Sequence, residues 1–409
     1  MPRIFKISLL TFSLGVVVFA FCGVDMRTVR AQESAANAYR QINVYSEVLQ
    51  RIQSEYVVQP DINAATTGAL RGLLESLDSD SSYLTAADYA TYKAGPAGTA
   101  QVGLNVAKRF GYAVVVSVVP GGPADKAQLE DGDIIESIGT TSTRDVPAAL
   151  IPLMLEGKAG TQVVLSVIRP QRATPEKLTL TRADVSYGVT GESAFANNTV
   201  LQLKPPVIDK AHVAQMEQRL RQLAKLGYTK VILDLRDVSA GDESEGVRLA
   251  NLFLAKGSIA TLEGQRVAKQ TFTADPALAV NTTVPLVMLV NRGTAGAAEI
   301  VAAAIEGNKR GDVVGEKTFG TGVQQKTIEL PDGAALVLSI AKYETPDGKV
   351  IEDTGVTPTV EVAANDETAI VDEDEDEAPA AAPAAPATKP AAPKMDETLT
   401  KALDLLKQK

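Results

Sequence analysis

Histidine and cysteine each occur once among 409 residues, as His212 and Cys22, and tryptophan is absent. A zinc site needs several Cys or His ligands and a disulfide needs two cysteines, so the chain can build neither. No metal and no cofactor is expected. A Ser-His-Asp triad would have to use His212. That residue sits in DKAHVAQMEQRLRQL, the opening turns of a polar helix, which is a poor place for a catalytic base, and a surface position is expected for it. The 50 acidic and 40 basic residues give a net charge of −10. Eight carboxylates (Asp366, Glu367, Asp372, Glu373, Asp374, Glu375, Asp376 and Glu377) fall in one run that holds no base, and without them the net charge is −2. The rest of the chain offers no basic face for nucleic acid. The acidic run reads as a solvated, disordered tail.

The N-terminus has the form of an export signal. Arg3 and Lys6 precede an uncharged apolar stretch, Ser8 to Val24, and Val29-Arg30-Ala31 allows cleavage before Gln32. The charges at Asp25, Arg27 and Arg30 lengthen the polar flank, so an uncleaved anchor is the alternative, at the lower limit of a membrane span. Cys22 follows Phe21, where lipidation wants a small residue, so it reads as an ordinary apolar residue. Residues beyond 31 are expected in the periplasm or outside the cell, touching the membrane only through an uncleaved segment. A mature chain without cysteine suits an oxidising envelope.

Six parts follow from pattern: the signal or anchor (1–31), a helical segment (32–94), a β-domain (95–185), an α/β core (186–363), an acidic and Pro/Ala linker (364–394) and a terminal helix (395–409). Ile42, Tyr45, Leu49, Ile52 and Tyr56 recur at helical spacing. Pro60-Asp61 breaks that helix, and NAATTGALRGLLESLD gives a second one, ending in the turn formers Asp78 to Ser82. Helical packing or a homo-oligomer contact is the expected use of this segment. YAVVVSVVP and TQVVLSVIRP are β-branched runs bounded by Gly and Pro. Beyond residue 186, the buried strands KVILDLR and PLVMLVN alternate with the helices ESEGVRLANLFLA and AGAAEIVAAAIEGNK, and GDVVGEKTF and AALVLSIAKYETPDG add strands. APAAAPAAPATKPAAPK cannot pack a core. Leu399, Ala402, Leu403 and Leu406 form one apolar stripe on a last helix, to dock on the body or on a partner. The fold class is α+β and multidomain.

Between the two β-branched runs, GGPADKAQLEDGDIIESIG places a short helix (Ala124 to Leu129) before the tight turn Asp131-Gly132-Asp133. With Gly103-Leu104-Asn105-Val106, Pro123-Ala124, Gly132-Asp133-Ile134-Ile135 and Gly160-Thr161, the segment resembles a PDZ domain. Gln128 stands where that family usually has glycine. The resemblance implies that backbone N–H groups of the Gly103–Asn105 turn hold a terminal carboxylate while a peptide adds a strand to an open edge. Gly103, Leu104, Asn105 and Val106 are thus the candidate peptide-binding residues.

The order of parts, together with LLESLDSDSSYL, LDLRDVSAG, VNRGTAGAAEI, GEKTFGTGVQQ and YETPDGKVIEDTGVTPTVEV, resembles the carboxyl-terminal processing (tail-specific) serine proteases over roughly residues 40 to 363. The resemblance implies a protease-type α/β core in which a serine attacks the peptide carbonyl, a neutral lysine takes its proton and a glutamine orients the lysine. The serine position falls on Gly296, the lysine position on Thr321 and the glutamine on Gln325. The oxyanion region implied by the family falls on Ala240, Gly241 and Ala297, and its N-P-G-G reads Val238-Ser239-Ala240-Gly241. A glycine forms no acyl-enzyme, and a threonine is no base at neutral pH.

Three functions are therefore weighed. The first is an inactive pseudoprotease that binds protein C-termini or unfolded polypeptides through its PDZ domain and serves as an envelope adaptor, scaffold or regulator. The second is an active serine-type endopeptidase cleaving envelope proteins near their C-termini with relocated residues, of which Thr294 and Lys317 are the candidates. The third is a structural role, with the helix over 40–56 assembling oligomers.

Overall fold

The computed structural model describes residues 26–170, 174–362 and 396–408, with side chains from Tyr39 onward. The apolar segment Ser8 to Val24, the acidic run and the Pro/Ala stretch lie outside the described residues. Among the described residues, no helix is long and apolar enough to cross a membrane. The chain divides into two compact units, 1–70 and 71–409.

The first unit carries α1 (Met26–Glu55) and most of α2 (Ile62–Glu75). The helix expected over 42–56 is present and starts earlier, at Met26. Tyr39, Ile42 and Tyr45 are exposed along it, and Tyr56 is exposed just past its end.

The second unit begins with β1 (Ser82–Leu84) and α3 (Ala86–Ala94). Thr85 caps α3 by accepting from the Asp88 N–H, while the Asp88 carboxylate accepts from the Thr85 N–H. The PDZ domain follows as β2 (Leu104–Arg109), β3 (Tyr112–Val118), α4 (Pro123–Lys126), β4 (Ile134–Ile138), β5 (Thr141–Ser142), α5 (Ile151–Leu155), β6 (Gln162–Ile168) and β7 (Glu176–Thr181). Its antiparallel sheet runs β2-β3-β4-β6-β7, with β5 added to β4, so β2 is an edge strand. Val163, Leu165 and Val167 alternate into its core, as period two requires. The helix expected over 124–129 ends at Lys126, and Gln128 takes φ +57°. That left-handed backbone explains why glycine suits the position.

The core adds β8 (Gly191–Phe195), β9 (Val200–Lys204), α6 (Lys210–Gln222), β10 (Lys230–Asp234), α7 (Glu243–Asn251), β11 (Ser258–Glu263), β12 (Gln270–Thr273), β13 (Leu286–Val290), α8 (Ala297–Gly307), β14 (Asp312–Gly315), β15 (Val323–Glu329), β16 (Ala335–Glu344), β17 (Val360–Glu361) and α9 (Glu397–Lys407). The central sheet runs β17-β14-β13-β10-β9-β8 and is parallel except for the β8–β9 pair. Both faces of its middle strands are covered, so β13 is an unbroken apolar run, Leu286-Val287-Met288-Leu289-Val290, buried throughout. Leu233, Met288 and Leu201 face α6, α7 and α8. Ile232, Val287 and Leu289 face the other way, where Ala402 and Leu406 of α9 pack on them. The terminal helix thus docks on the body. Asp396 caps it by accepting from the Leu399 N–H at 2.9 Å and pairs with Arg236 at 2.9 Å. A third sheet, β1-β16-β11-β12 with β15 on β16, completes the unit.

The histidine expectation needs correcting. His212 lies in the first turn of α6, as read from the sequence, but it is buried. Its Nδ1 bonds Asp209 Oδ1 and its Nε2 bonds the Gly188 carbonyl, both at 2.7 Å. The Asp209 side chain that caps α6 reaches back to the ring, so the imidazole is spent on fixing the segment that joins the PDZ domain to the core.

Candidate active site

β13 ends in a tight corner, residues 291–296, before α8 begins. Gly296 is the N-cap of α8 with φ +59° and ψ −120°, a conformation that strains any residue with a side chain. The corner makes a sharp strand-to-helix turn, and the residue at its apex has no side chain. A Cβ added there would meet only the Ser239 carbonyl oxygen, at 3.9 Å. The space for a side chain is open.

The implied oxyanion loop lies beside the corner. Ala295 N–H donates to the Val238 carbonyl at 3.0 Å, which holds residues 238–241 against the corner. Gly241 has its own constraint, because a Cβ there would sit 2.4 Å from the Ile208 carbonyl oxygen. Ala240 is half-buried, and Ala297 is buried at the start of α8.

The third part is the loop 318–322. Glu299 ties it to the corner. This carboxylate is fully buried, three residues into α8 from Gly296. It accepts from the N–H groups of Gly296 (3.0 Å), Gly320 (2.7 Å) and Thr321 (2.7 Å), and from the Thr318 hydroxyl. Burial pushes its pKa up to about 7, against the pull of those donors. Thr321 is therefore held beside the corner through its backbone, and its side chain carries no amine. Gln325 sits on the exposed part of β15 and donates to the Asp80 carbonyl at 2.8 Å.

The relocated pair fares worse. Thr294 is fully buried, its hydroxyl donating to the Leu235 carbonyl at 2.8 Å and accepting from the Asn291 N–H at 3.0 Å. Lys317 is exposed. Among the described residues, no group of three or more His, Cys, Asp or Glu side chains is arranged to hold a metal ion.

The PDZ domain meets this site directly. Gly103 is buried with φ +80°, and its carbonyl accepts from the Val119 N–H at 2.9 Å. Leu104 and Val106 lie along the edge strand β2. Asn105 Nδ2 donates to the Ser117 hydroxyl at 2.9 Å, and the Ser117 and Ser239 hydroxyls share a bond of 2.6 Å. A hydrogen-bonded chain thus runs from the implied carboxylate turn to the implied oxyanion loop. A cavity of about 470 Å³ lies alongside, lined by Asn105, Ser117, Pro120, Tyr187, Arg236 and Val238 among others. Asp131 is on its wall. Burial, and then the nearby Asp237, raise its pKa to about 6, with Arg292 opposing.

The structure brings Gly296, the backbone of Thr321 and the 238–241 loop together, and the residue that sequence reasoning missed is Glu299. The available signal was an acid in the first turn of an otherwise apolar helix, AAEIVAAAIEG.

Residues 200–362 match the model of the peptidase family S41, and residues 114–169 match a PDZ domain. The chain is 30% identical over 320 residues to the chloroplastic C-terminal processing peptidase of Tetradesmus obliquus, covering 74% of this chain and 69% of that protein. It is 28% identical over 337 residues to the carboxy-terminal processing protease CtpA of Bacillus subtilis, covering 81% and 71%. A solved structure of a photosystem II D1 C-terminal processing protease superposes with a TM-score of 0.65 at 28% identity, covering 77% of this chain and 86% of that one.

Proposed function

The chain belongs to the S41 family of C-terminal processing peptidases, and from that premise we propose that it binds protein C-termini or unfolded polypeptides without cutting them. In this reading it is a pseudoprotease that acts outside the cytoplasm as an adaptor or scaffold, its PDZ turn at Gly103 to Val106 taking the terminal carboxylate. The observation that carries the reading is Gly296. The corner is formed and open, and the atom that would attack is missing. Loss of a nucleophile from a catalytic unit costs a factor on the order of 10⁶. Thr321 in place of the base removes the second member. The buried, doubly bonded Thr294 hydroxyl argues against a rebuilt Thr294–Lys317 pair, since it would have to abandon both partners to reach a substrate.

The test is to incubate the purified full chain with an unfolded, C-terminally tagged polypeptide, and to measure binding and cleavage in parallel. Saturable binding that depends on a free terminal carboxylate, without cleavage, is expected. Turnover abolished by Thr294→Ala or Lys317→Ala would replace this reading with that of an active endopeptidase.

A further inference from the structure

Two sequence motifs take no part in the site above: the turn LDSDSS and the stretch IEDTG. They meet at the back of the 320–322 loop. Glu352 is 3% exposed. One of its oxygens, Oε2, accepts from the Gly322 N–H at 2.8 Å, while Oε1 is buried without a partner. Asp80 Oδ2 is likewise buried without a partner. The two side chains lie within hydrogen-bond reach of each other and each keeps a buried oxygen without a donor, an arrangement that a proton between them stabilises. We propose that Asp80 and Glu352 hold one proton in common, and that this proton latches the 320–322 loop to the 78–82 turn and frees the loop when it is lost.

The surroundings favour retention of the proton. Burial raises both pKa values, that of Glu352 to about 8. Asp78 and Asp353 add negative charge, and Arg109 of β2 opposes them. Asp78 is committed elsewhere, accepting from the N–H groups of Asp80 and Ser81 and the hydroxyls of Ser81 and Ser339. Arg109 is shared between the Gly320 carbonyl (2.9 Å) and Asp353 (3.5 Å), and stacks 4.7 Å from the Phe319 ring. From β15 the neighbour is the uncharged Gln325 on the Asp80 carbonyl. Glu299 holds the other side of the loop. The latch therefore bears on the segment that carries Thr321 and would act whether or not the chain cleaves peptides.

The sign follows from linkage. A carboxyl whose pKa is raised in the closed state binds its proton more tightly there, so closure is favoured at low pH and weakens as pH rises. Opening should grow by about tenfold per pH unit from near the ordinary carboxyl range up to about 8, then level off. Glu299 contributes a similar slope only to about 7, so the rise between about 7 and 8 belongs to the pair. The measurement is amide hydrogen exchange of residues 318–323 in the full chain, corrected for intrinsic rates, from pH 5 to 9. Glu352→Gln places an amide donor against Asp80 at every pH, and Asp80→Asn does the reverse. The wild-type slope above pH 7 should vanish in both variants. A flat wild type, or an equal slope in wild type and either folded variant, overturns the proposal.

Discussion

A chain of hydrogen bonds leads from Asn105 at the PDZ edge through Ser117 to Ser239, beside the Val238 carbonyl that Ala295 of the corner binds, and the two regions differ in what their proposed functions require. At the edge, what binding requires is backbone: a free strand, β2, and a turn at Gly103 with φ +80°. At the corner, what catalysis requires is a hydroxyl and an amine. The corner's backbone is intact, down to φ +59° at residue 296 and three N–H groups converging on Glu299. Function written in the main chain tolerates substitution, because most side chains leave it in place. Function written in two side-chain atoms would, on the reading proposed above, be lost by two substitutions while the fold persists.

The largest effect should come from rewriting those two atoms. On the pseudoprotease reading, Gly296→Ser with Thr321→Lys is expected to give the chain cleavage of a tagged unfolded substrate that the unsubstituted chain leaves intact. The deficit at stake is on the order of 10⁶, and neither single variant should recover it. The serine would have to accept the left-handed backbone at about 1–2 kcal/mol, a cost this well-packed corner can absorb. An inert double variant with an unchanged melting curve would place the defect in Val238 to Ala240 and show that the corner's backbone is less complete than its dihedrals suggest.

Next in size is the carboxylate that holds the corner's backbone together. Glu299→Ala orphans several buried donors, each costing about 1–3 kcal/mol, and should lower the unfolding free energy by several kcal/mol in a denaturant titration. Glu299→Gln keeps one acceptor oxygen but turns an amide NH2 toward donors on the other side, so it should cost less than alanine without being neutral. It should also remove a pH dependence. A pKa of about 7, raised above the ordinary glutamate value, favours the fold at low pH, and the advantage fades as pH rises from about 4.5 to about 7. Stability of the wild type should fall across that window more steeply than that of Glu299→Gln. Identical pH profiles would mean that Glu299 is ionised throughout and that its four donors outweigh its burial.

These residues also show what could be read in advance. The parallel strands KVILD and LVMLV announce themselves as apolar runs because both faces are covered. Gly296 and Thr321 could be singled out because flanking motifs fix their register within the family resemblance. His212 was misread because a polar helix was taken to face water on every side. The ring is buried by contacts from Asp209 and Gly188, the latter 24 residues away, which local periodicity does not report. Glu299 and the Asp80–Glu352 pair escaped for the same reason. Their meaning lies in which distant backbone groups converge on them.

A smaller effect is expected at the PDZ turn. Gly103→Ala leaves room for the methyl group, whose nearest neighbours would be 3.5 Å away, but forces alanine to φ +80°. The free turn should relax out of that backbone, and restoring about 1–2 kcal/mol of strain on binding should weaken the affinity for a carboxylate-terminated peptide by about five- to thirtyfold, read by titration calorimetry on the full chain. Unchanged affinity would move the carboxylate site away from this turn.

The smallest effect tests whether the two regions speak to each other. Ser239 belongs to the core, and its hydroxyl touches the PDZ domain through Ser117, which in turn accepts from Asn105. Ser239→Ala removes one half-buried hydrogen bond, a loss of about 0.5–1.5 kcal/mol, without altering any residue of the PDZ domain. If the Asn105 side chain and the turn before it are oriented by this chain, peptide affinity should drop by about two- to tenfold. Ser117→Ala should reproduce the loss, and the double variant should add little, because both substitutions break one chain. Additive losses, or an affinity indifferent to Ser239, would make the binding edge and the corner energetically separate. The retained backbone of the corner would then owe nothing to peptide capture, only to the packing of α8 against the sheet.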